Sequence, residues 1–497
     1  MQTLPAPVYA VADVRAADAH AIEQLGLAGY TLMARAGEAA LAAIRAQWPM
    51  QRRLVVVCGR GNNGGDGYVV ARFARAAGLT VTVTAPLGRP VTADAARACD
   101  DWSAAGGTLE PWSPALLSRG DLLVDALFGT GLQRDVDGTA GDVIAALNAA
   151  PQPVVALDVP SGLDADSGLP RGNAVRAQLT VTFVGLKPGL FLGLGPEHAG
   201  RLACDDLDVP ASAFDGCRPA LRRITELQLR AALPRRPRTA HKGAHGHVLV
   251  IGGGEGMPGA ARLAGEAALR AGAGLVTVAT WPTHAPAIAT GRPELICVGV
   301  PDAAALATLL EAADVVAVGP GLGRTPWAAA LVESAFASSL PLVVDADALN
   351  LLAAAPRVRS PWCLTPHPGE AARLLGTRND AVQADRLGSV HALAARYGAV
   401  AVLKGAGTLV ASPGGVPWVC ERGNPGMAAA GMGDVLTGIV AAIAAQQPDR
   451  ASGLELAAAA AVLVHASAGD LAARAGERGI LASDLIGYLP QCVNPAN

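Results

Sequence analysis

The 497-residue sequence predicts an α/β protein of two domains, each built on a parallel sheet. Three observations carry this. The chain is too long for one ordinary hydrophobic core. The apolar fraction is 51%, much of it Ala and Val, which suits strands buried on both faces against Ala-rich helices. Finally, β-rich apolar runs alternate with helical patterns through both halves.

Taken in order, Ala16–Trp48 reads as two helices broken near Gly26–Gly29. Strand-like runs follow at Leu54–Cys58, Leu79–Thr84, Leu122–Leu127, Val154–Leu157 and Leu179–Val184, with helical patterns between them such as Tyr68–Ala77. Ala211–Gly243, with its "LPRRPRTAHKG", breaks the alternation and reads as a linker, dividing the chain into domains 1–218 and 219–497. A second series then runs His247–Ile251, a helix from about Ala260, Leu275–Ala279, Val315–Val318, Leu342–Val344, Trp362–Leu364 and Val400–Leu403. "TLVASPGGVPWVC" reads as a hairpin around Pro413–Gly415.

Composition narrows the function classes. Aromatics are 4% and the formal net charge is -3, with no long basic run, so neither nucleic acid nor an anionic membrane is an expected partner. The eight cysteines form no CxxC pair, which fits a reducing compartment. The N-terminus lacks a signal-peptide pattern, and the Ala-rich stretch Leu454–Val464 is too short to span a bilayer. A soluble cytoplasmic protein is expected. Only three of the 39 basic residues are lysines, Lys187, Lys242 and Lys404. Arg replaces Lys easily on a solvated face but not where a compact ammonium is needed, which marks these three for attention.

Ligands of open α/β sheets bind at the carboxyl ends of strands, so polar residues there are the candidates. In the first half, Leu54–Cys58 runs into "GRGNNGGDGYVVARFARAAG". Gly59, Gly61 and Gly64 match GxGxxG formally, but no acidic residue ends the next strand to clamp a ribose, and no Gly-Lys-Ser/Thr follows. The distinctive feature is the polar insert Asn62, Asn63 and Asp66 among glycines, read as a ligand loop rather than a plain Asx turn. Asp125 ends another strand, and Asp158 a third, followed by Ser161. Together these oxygens suit a hard cation.

In the second half His241, His245 and His247 lack an acidic partner and read as loop and packing residues rather than a zinc site. "GGGEGMPGAA" and Gly319–Gly323 are glycine-rich strand ends; Asp345, Asp347, His367 and Lys404 mark others. Then "NPGMAAAGMGDVLTG" sets one carboxylate, Asp434, at the start of an apolar helix. Gly431 and Gly433 allow a tight entry, so first-turn N–H groups can receive a transferred phosphoryl group while Asp434 takes a proton from an attacking hydroxyl. An N-cap is the simpler alternative.

The motifs resemble two known families. "LMARAG", "GNNGGDG", "DALFGTGL", "LDVPSGL" and "TFVGLKPGL", covering about residues 10–210, resemble the NAD(P)H-hydrate epimerases (the YjeF N-terminal domain). That resemblance implies a Rossmann-like α/β domain, a potassium ion held by Asn63, Asp125 and Ser161, and the hydrated nucleotide contacted by Asn62, Asn63, Gly64, Gly65, Asp66, Gly129, Thr130, Gly131, Leu132, Gln133, Arg134, Asp135 and Asp158. Asp158 is then the acid–base group, while Lys187 has no assigned role. The Asp434 motif is similar to those of ribokinase-like kinases. More narrowly, "HKGAHGHVLVIGG", "GPGLG", "DADALN", "TPHPGE", "KGAGT" and "GMAAAGMGDVLTG", within about residues 225–490, resemble the ADP-dependent NAD(P)H-hydrate dehydratases.

The second resemblance implies a ribokinase-like domain in which Ala260, Gly323, His367 and Asp434 face the hydrate. Lys404, Gly405, Ala406, Gly407, Thr408 and Gly433 would hold ADP, with Mg2+ accompanying it, and AMP and phosphate would be the products. The implied substrates are NADHX, NADPHX and ADP, in a homo-oligomer. ADP versus ATP and NADH versus NADPH stay open on the residues alone. Two other readings remain: a ribokinase-like kinase of a small alcohol, and a nucleotide-binding regulatory module in the N-terminal half.

Overall fold

The computed structural model describes residues 4–494 and separates into two compact units, Met1–Leu221 and Arg222–Asn497. In the first, seven strands form one sheet in the order Leu109–Glu110, Thr80–Thr84, Arg53–Cys58, Leu122–Ala126, Val154–Leu157, Leu179–Phe183 and Arg201–Asp205. All neighbours are parallel. The first and last of these strands were not anticipated from the sequence. Helices Val11–Glu23 and Gly29–Gln47 match the expected pair.

One expectation changes in kind. "NNGGDG" is not a loop: the helix expected over Tyr68–Ala77 runs Asn62–Ala76 and takes the motif as its first turns. Its glycines therefore serve close approach rather than a turn. A Cβ at Gly64 would collide with the Gly59 carbonyl, and one at Gly67 would lie 2.6 Å from Ala126 Cβ. The glycines let this helix start lie flat against the strand ends.

In the second unit the sheet order is Leu221–Arg223, Trp418–Cys420, Thr408–Ala411, Val400–Leu403, Trp362–Leu364, Leu342–Val344, Val315–Val318, His247–Ile251, Leu275–Thr280 and Ile296–Gly299. The strands from Ile296–Gly299 to Val400–Leu403 are parallel, and the expected hairpin supplies two antiparallel strands at one side. The supposed linker holds two of this unit's elements. Leu221–Arg223 pairs with Trp418 and Val419 and fixes itself with an Arg223–Glu421 ion pair; Glu226–Ala232 is a helix capped by Thr225. Its Pro and Arg content masked an edge strand, which straddles the end of the first compact unit at Leu221.

Helix Met432–Ala445 is buried almost from end to end, between Pro258–Arg270 and Leu454–Ala472. The last of these extends well beyond the expected apolar stretch Leu454–Val464 and is long and apolar enough to cross a membrane, yet its apolar residues belong to the core of the unit. Gly438 faces Ala264, whose carbonyl oxygen occupies the space a Cβ would need. Gly438→Val should therefore cost about 1–3 kcal/mol by overpacking. Gly487→Ala, in a helix with open space around the added methyl, should stabilise by about 0.5–1 kcal/mol. Denaturant unfolding of the two variants checks both signs.

Candidate active sites

In the N-terminal unit the strand order reverses between Arg53–Cys58 and Leu122–Ala126. A cavity of about 1150 Å³ opens around the residues that follow these strands. That volume suits a ligand larger than a typical drug, on the scale of a dinucleotide. Asp158 leaves its strand with φ 65°, an uncommon backbone for Asp, and lines the cavity. Its Oδ2 accepts from the Thr130 amide (3.3 Å) and its Oδ1 from Lys187 Nζ (2.6 Å). Lys187 is 1% exposed, and its ammonium also donates to Thr182 Oγ1 and the Phe183 carbonyl, both at 2.8 Å. All three Nζ hydrogens are thus used, as burial of an ammonium requires.

Beside this pair lies a polar nest. Asp125 is fully buried; it accepts from Ser161 N (2.8 Å), Ser161 Oγ (2.6 Å) and Leu127 N (3.2 Å). Burial pushes its carboxyl up to about 6, with the hydrogen bonds from Ser161 and Leu127 pulling back. No cationic side chain pairs with it among the described residues. Asn63 is buried with both amide atoms unpartnered, and its side chain packs where a Gly129 Cβ would meet it at 3.4 Å. A lone buried carboxylate and an orphaned amide oxygen are each the kind of donor that a hard cation satisfies. Among the described residues no three His, Cys, Asp or Glu side chains group together as metal ligands.

The expected contacts divide on inspection. Asn62, Asn63, Asp66, Asp158 and the turn Gly129–Arg134 line the cavity. Gly64 and Gly65 do not; they face the Gly59 carbonyl and Met33. Asp135 is exposed and lies outside the lining. Burial holds Asp66 well above the usual carboxylate range, with Asp158 and Asp18 adding to the effect. The wall contributed by Val14, Arg15, Asp18 and Ile22 went unnoticed, although their helical spacing is legible in the sequence.

In the C-terminal unit the order reverses between His247–Ile251 and Val315–Val318, and the glycine-rich segments Gly252–Gly254 and Gly319–Gly323 meet there: the Gly254 amide donates to the Gly321 carbonyl (2.7 Å). Ala260 packs at this junction, where a Cβ on Gly321 would reach it at 2.8 Å. Gly323, at φ 77°, donates its amide to Asp347 Oδ2 (2.8 Å). Lys404 donates to Asp345 Oδ1 (2.7 Å) and lies 3.8 Å from Glu370. Thr437 Oγ1 donates to the other Asp345 oxygen (2.8 Å), and Gly433 leaves room beside both Lys404 Nζ and Asp345. Burial pulls the Lys404 ammonium down, but Asp345 and Glu370 outweigh it and hold it above its ordinary value.

Asp434 stands in the first turn of Met432–Ala445. Burial, then Asp345, push it up to about 7, with Lys404 offsetting and Asp347 and Glu370 adding. His367 caps the helix Pro368–Leu375, accepting from the Gly369 amide, and burial with Lys404 nearby lowers its imidazole. Arg386, not singled out from the sequence, organises the Lys404–Thr408 turn from below: it is buried, and its Nη2 donates to the carbonyls of Leu403, Lys404 and Gly407, each at 3.3 Å. The three histidines behave as read: His241 and His245 flank a short exposed turn, and the His247 ring bonds Ala312 O and Thr277 Oγ1. Lys242 is exposed.

Two measurements follow from these pairs. Lys187→Met leaves the half-buried Asp158 without its cation and should cost about 1–3 kcal/mol, most of it recovered in Lys187→Met/Asp158→Asn; chemical denaturation of the four proteins closes the cycle. Asp434 binds a proton more tightly folded than unfolded, so it stabilises least above pH 7. Asp434→Asn should accordingly raise the melting temperature at pH 8, by about 2–4 °C per kcal/mol relieved, and converge with wild type below pH 4.

Comparison with known proteins matches both halves. Residues 29–189 fit the family model described as YjeF-related protein N-terminus, and residues 248–491 that described as NAD(P)H-hydrate dehydratase. The chain is 47% identical over 490 residues to the bifunctional NAD(P)H-hydrate repair enzyme of Coxiella burnetii, covering 98% of this chain and 99% of that protein. It is 45% identical over 495 residues to the enzyme of the same name from Escherichia coli, covering 99% and 95%. A crystal structure of a ribokinase-like superfamily protein of Enterococcus faecalis is 30% identical, with TM-score 0.51, covering 55% of this chain and 95% of that one. Two strand-end sites, two matched domains and full-length identity lead to one statement: the chain belongs to the family of bifunctional NAD(P)H-hydrate repair enzymes.

Proposed function

We propose that the domain within residues 1–218 interconverts the R and S hydrates of NAD(P)H, and that the domain within 219–497 dehydrates the S form, using ADP and releasing AMP and phosphate. The observation that carries the second activity is Asp434: a half-buried carboxyl pushed up to about 7, with no hydrogen bond of its own among the described residues, at an uncapped helix start beside Lys404. As the C6 hydroxyl of the hydrate attacks the donor phosphorus, Asp434 takes its proton. Lys404 and the first-turn N–H groups around Gly433 oppose the charge developing on the phosphoryl oxygens. The hydroxyl oxygen now carries phosphate; the C6–O bond breaks, a proton leaves C5, and the ring double bond of the reduced cofactor is restored.

Lys404, Gly405, Ala406, Gly407, Thr408 and Gly433 are assigned to the nucleotide, and Ala260, Gly323, His367 and Asp434 to the hydrate. The Glu370 and Asp345 oxygens suit a Mg2+ ion that enters with the nucleotide, where it would neutralise phosphate charge. In the first domain, Asn63, Asp125 and Ser161 are assigned to K+, which would balance the buried Asp125 charge and hold the nucleotide turn. Asp158, tied to Lys187, moves a proton at the C6 oxygen. Gly64, Gly65 and Asp135, which the resemblance also gives to the hydrate, lie outside the cavity lining and are left out of this assignment.

Incubation of mixed hydrates with ADP should regenerate reduced-nicotinamide absorbance. Accumulation of a stable phosphate ester would instead favour a kinase. Asp434→Asn should lower that rate by about 10²–10⁴-fold while nucleotide binding persists. Because the base must be ionised, the wild-type rate should fall about tenfold per pH unit below its apparent pKa, near 7 in the free enzyme. Replacing K+ with a non-binding cation should slow consumption of the R form only; equal slowing of both forms would remove the cation from the epimerase site.

A further inference from the structure

Epimer exchange at C6 needs one proton given and one taken, and Asp158 accounts for one carboxyl. A second faces the same cavity. Asp18 lies on helix Val11–Glu23 with Val14, Arg15 and Ile22, whose spacing puts all four on one cavity-lining face. Arg15 Nη2 donates to the Thr130 carbonyl (2.8 Å), which holds this helix against the Gly129–Arg134 turn. Asp18 itself has no hydrogen bond or ion pair among the described residues, an unusual state for a half-buried carboxyl. It is charge-coupled to Asp158 and Lys187, and Asp66 feels its charge in turn.

We propose that Asp18 is the second acid–base residue of the epimerase, giving the proton with which the C6 hydroxyl departs while Asp158 takes the proton of the returning water. The inference rests on the epimerase reading of this cavity. The step balances without a redox partner. The Asp18 O–H proton passes to the C6 hydroxyl, the C6–O bond breaks, and water leaves. The lone pair of the adjacent ring nitrogen forms C=N+. Water then adds to the opposite face, the π pair returns to nitrogen, and the surplus proton goes to Asp158. The reverse reaction exchanges the roles, and otherwise one proton returns from Asp158 to Asp18 through solvent.

The environments divide the labour. Burial pushes Asp18 up to about 6, with Asp158 adding to this and Lys187 opposing it, so its proton is available where an ordinary carboxyl has lost its own. Asp158 pairs with the Lys187 ammonium at 2.6 Å and faces the same cavity. Besides Asp158 and Lys187, the charged groups lining this cavity with Asp18 are Arg15, Arg60, Asp66, Asp94 and Arg134.

The test follows R-to-S exchange on the full chain with K+ present, resolving the epimers by chromatography. Asp18→Asn should lower kcat by about 10²–10⁴-fold with KM within a few-fold. It should also erase the alkaline limb of the wild-type pH profile, because the acid form is lost as pH rises. Asp18→Glu should recover part of the rate, and dehydration of purified S form should be unchanged in both variants. Full exchange in Asp18→Asn with an unaltered profile would overturn the proposal, as would loss in both variants accompanied by a lower melting temperature, which marks a structural role. Wild-type protein that fails to accelerate exchange would overturn the epimerase reading instead.

Discussion

Each unit sinks one ammonium into a strand-end group of carboxylates: Lys187 onto Asp158, and Lys404 onto Asp345. The two sites are arranged around these pairs. A buried pair returns little net stability, because desolvation consumes the Coulombic gain, but breaking it is costly. The surroundings accordingly occupy all three Lys187 donors and both Asp345 oxygens. Thr182 and the Phe183 carbonyl complete Lys187, and Thr437 completes Asp345. Once fixed, the pairs set the electrostatics of their neighbours. Asp18 and Asp66 feel Asp158 and Lys187, and Asp434 feels Asp345 and Lys404.

The parallel sheets make this possible. Strands buried on both faces leave polar groups only at their ends, so a reversal of strand order concentrates them at one edge. The same burial that stabilises the sheets raises the proton affinity of carboxyls placed there. Asp125 shows the limit: fully buried, hydrogen-bonded by Ser161 and Leu127, and still lacking a positive partner among the described residues. An oxygen-lined nest with an uncompensated charge is tolerable when a ligand supplies the missing term.

Most of this was legible in the sequence. Strand runs such as Leu54–Cys58 and Val400–Leu403 fall where apolar patterning puts them, because buried parallel strands need continuous apolar residues. Scarcity of lysine pointed to Lys187 and Lys404 but equally to exposed Lys242; residue type identifies candidates without knowing burial. What escaped were features defined by contact. "NNGGDG" reads as a loop because glycine is a poor helix former; only the Gly59 carbonyl and Met33 packing against it explain why a helix must begin there. Leu221–Arg223 hid in a Pro- and Arg-rich stretch because its strand character comes from Trp418 and Glu421, about two hundred residues away. Asp18 and Arg386 carry no local motif at all. Their significance lies in the helix face they share and the carbonyls they reach.

Asp434 admits two roles at a helix start, cap or base, and the magnitudes count against the cap. Gly431 begins the helix in the left-handed region, and no side chain caps it. An N-terminal dipole favours an ionised carboxylate by about 0.3–1 kcal/mol. The rise of Asp434 to about 7 runs the other way, and each pKa unit is worth about 1.4 kcal/mol, so burial and Asp345 outweigh the dipole. A cap would be held ionised by the amides it accepts from; Asp434 accepts from none. The first-turn N–H groups therefore remain open to a phosphoryl group, while the carboxyl titrates where a base for an alcohol is useful. A bound polyphosphate adds negative charge nearby and strengthens the proton affinity of Asp434 further, partly offset by any cation it brings. If Asp434 is the proposed base, a bound nucleotide phosphate would strengthen it and move its ionisation to higher pH.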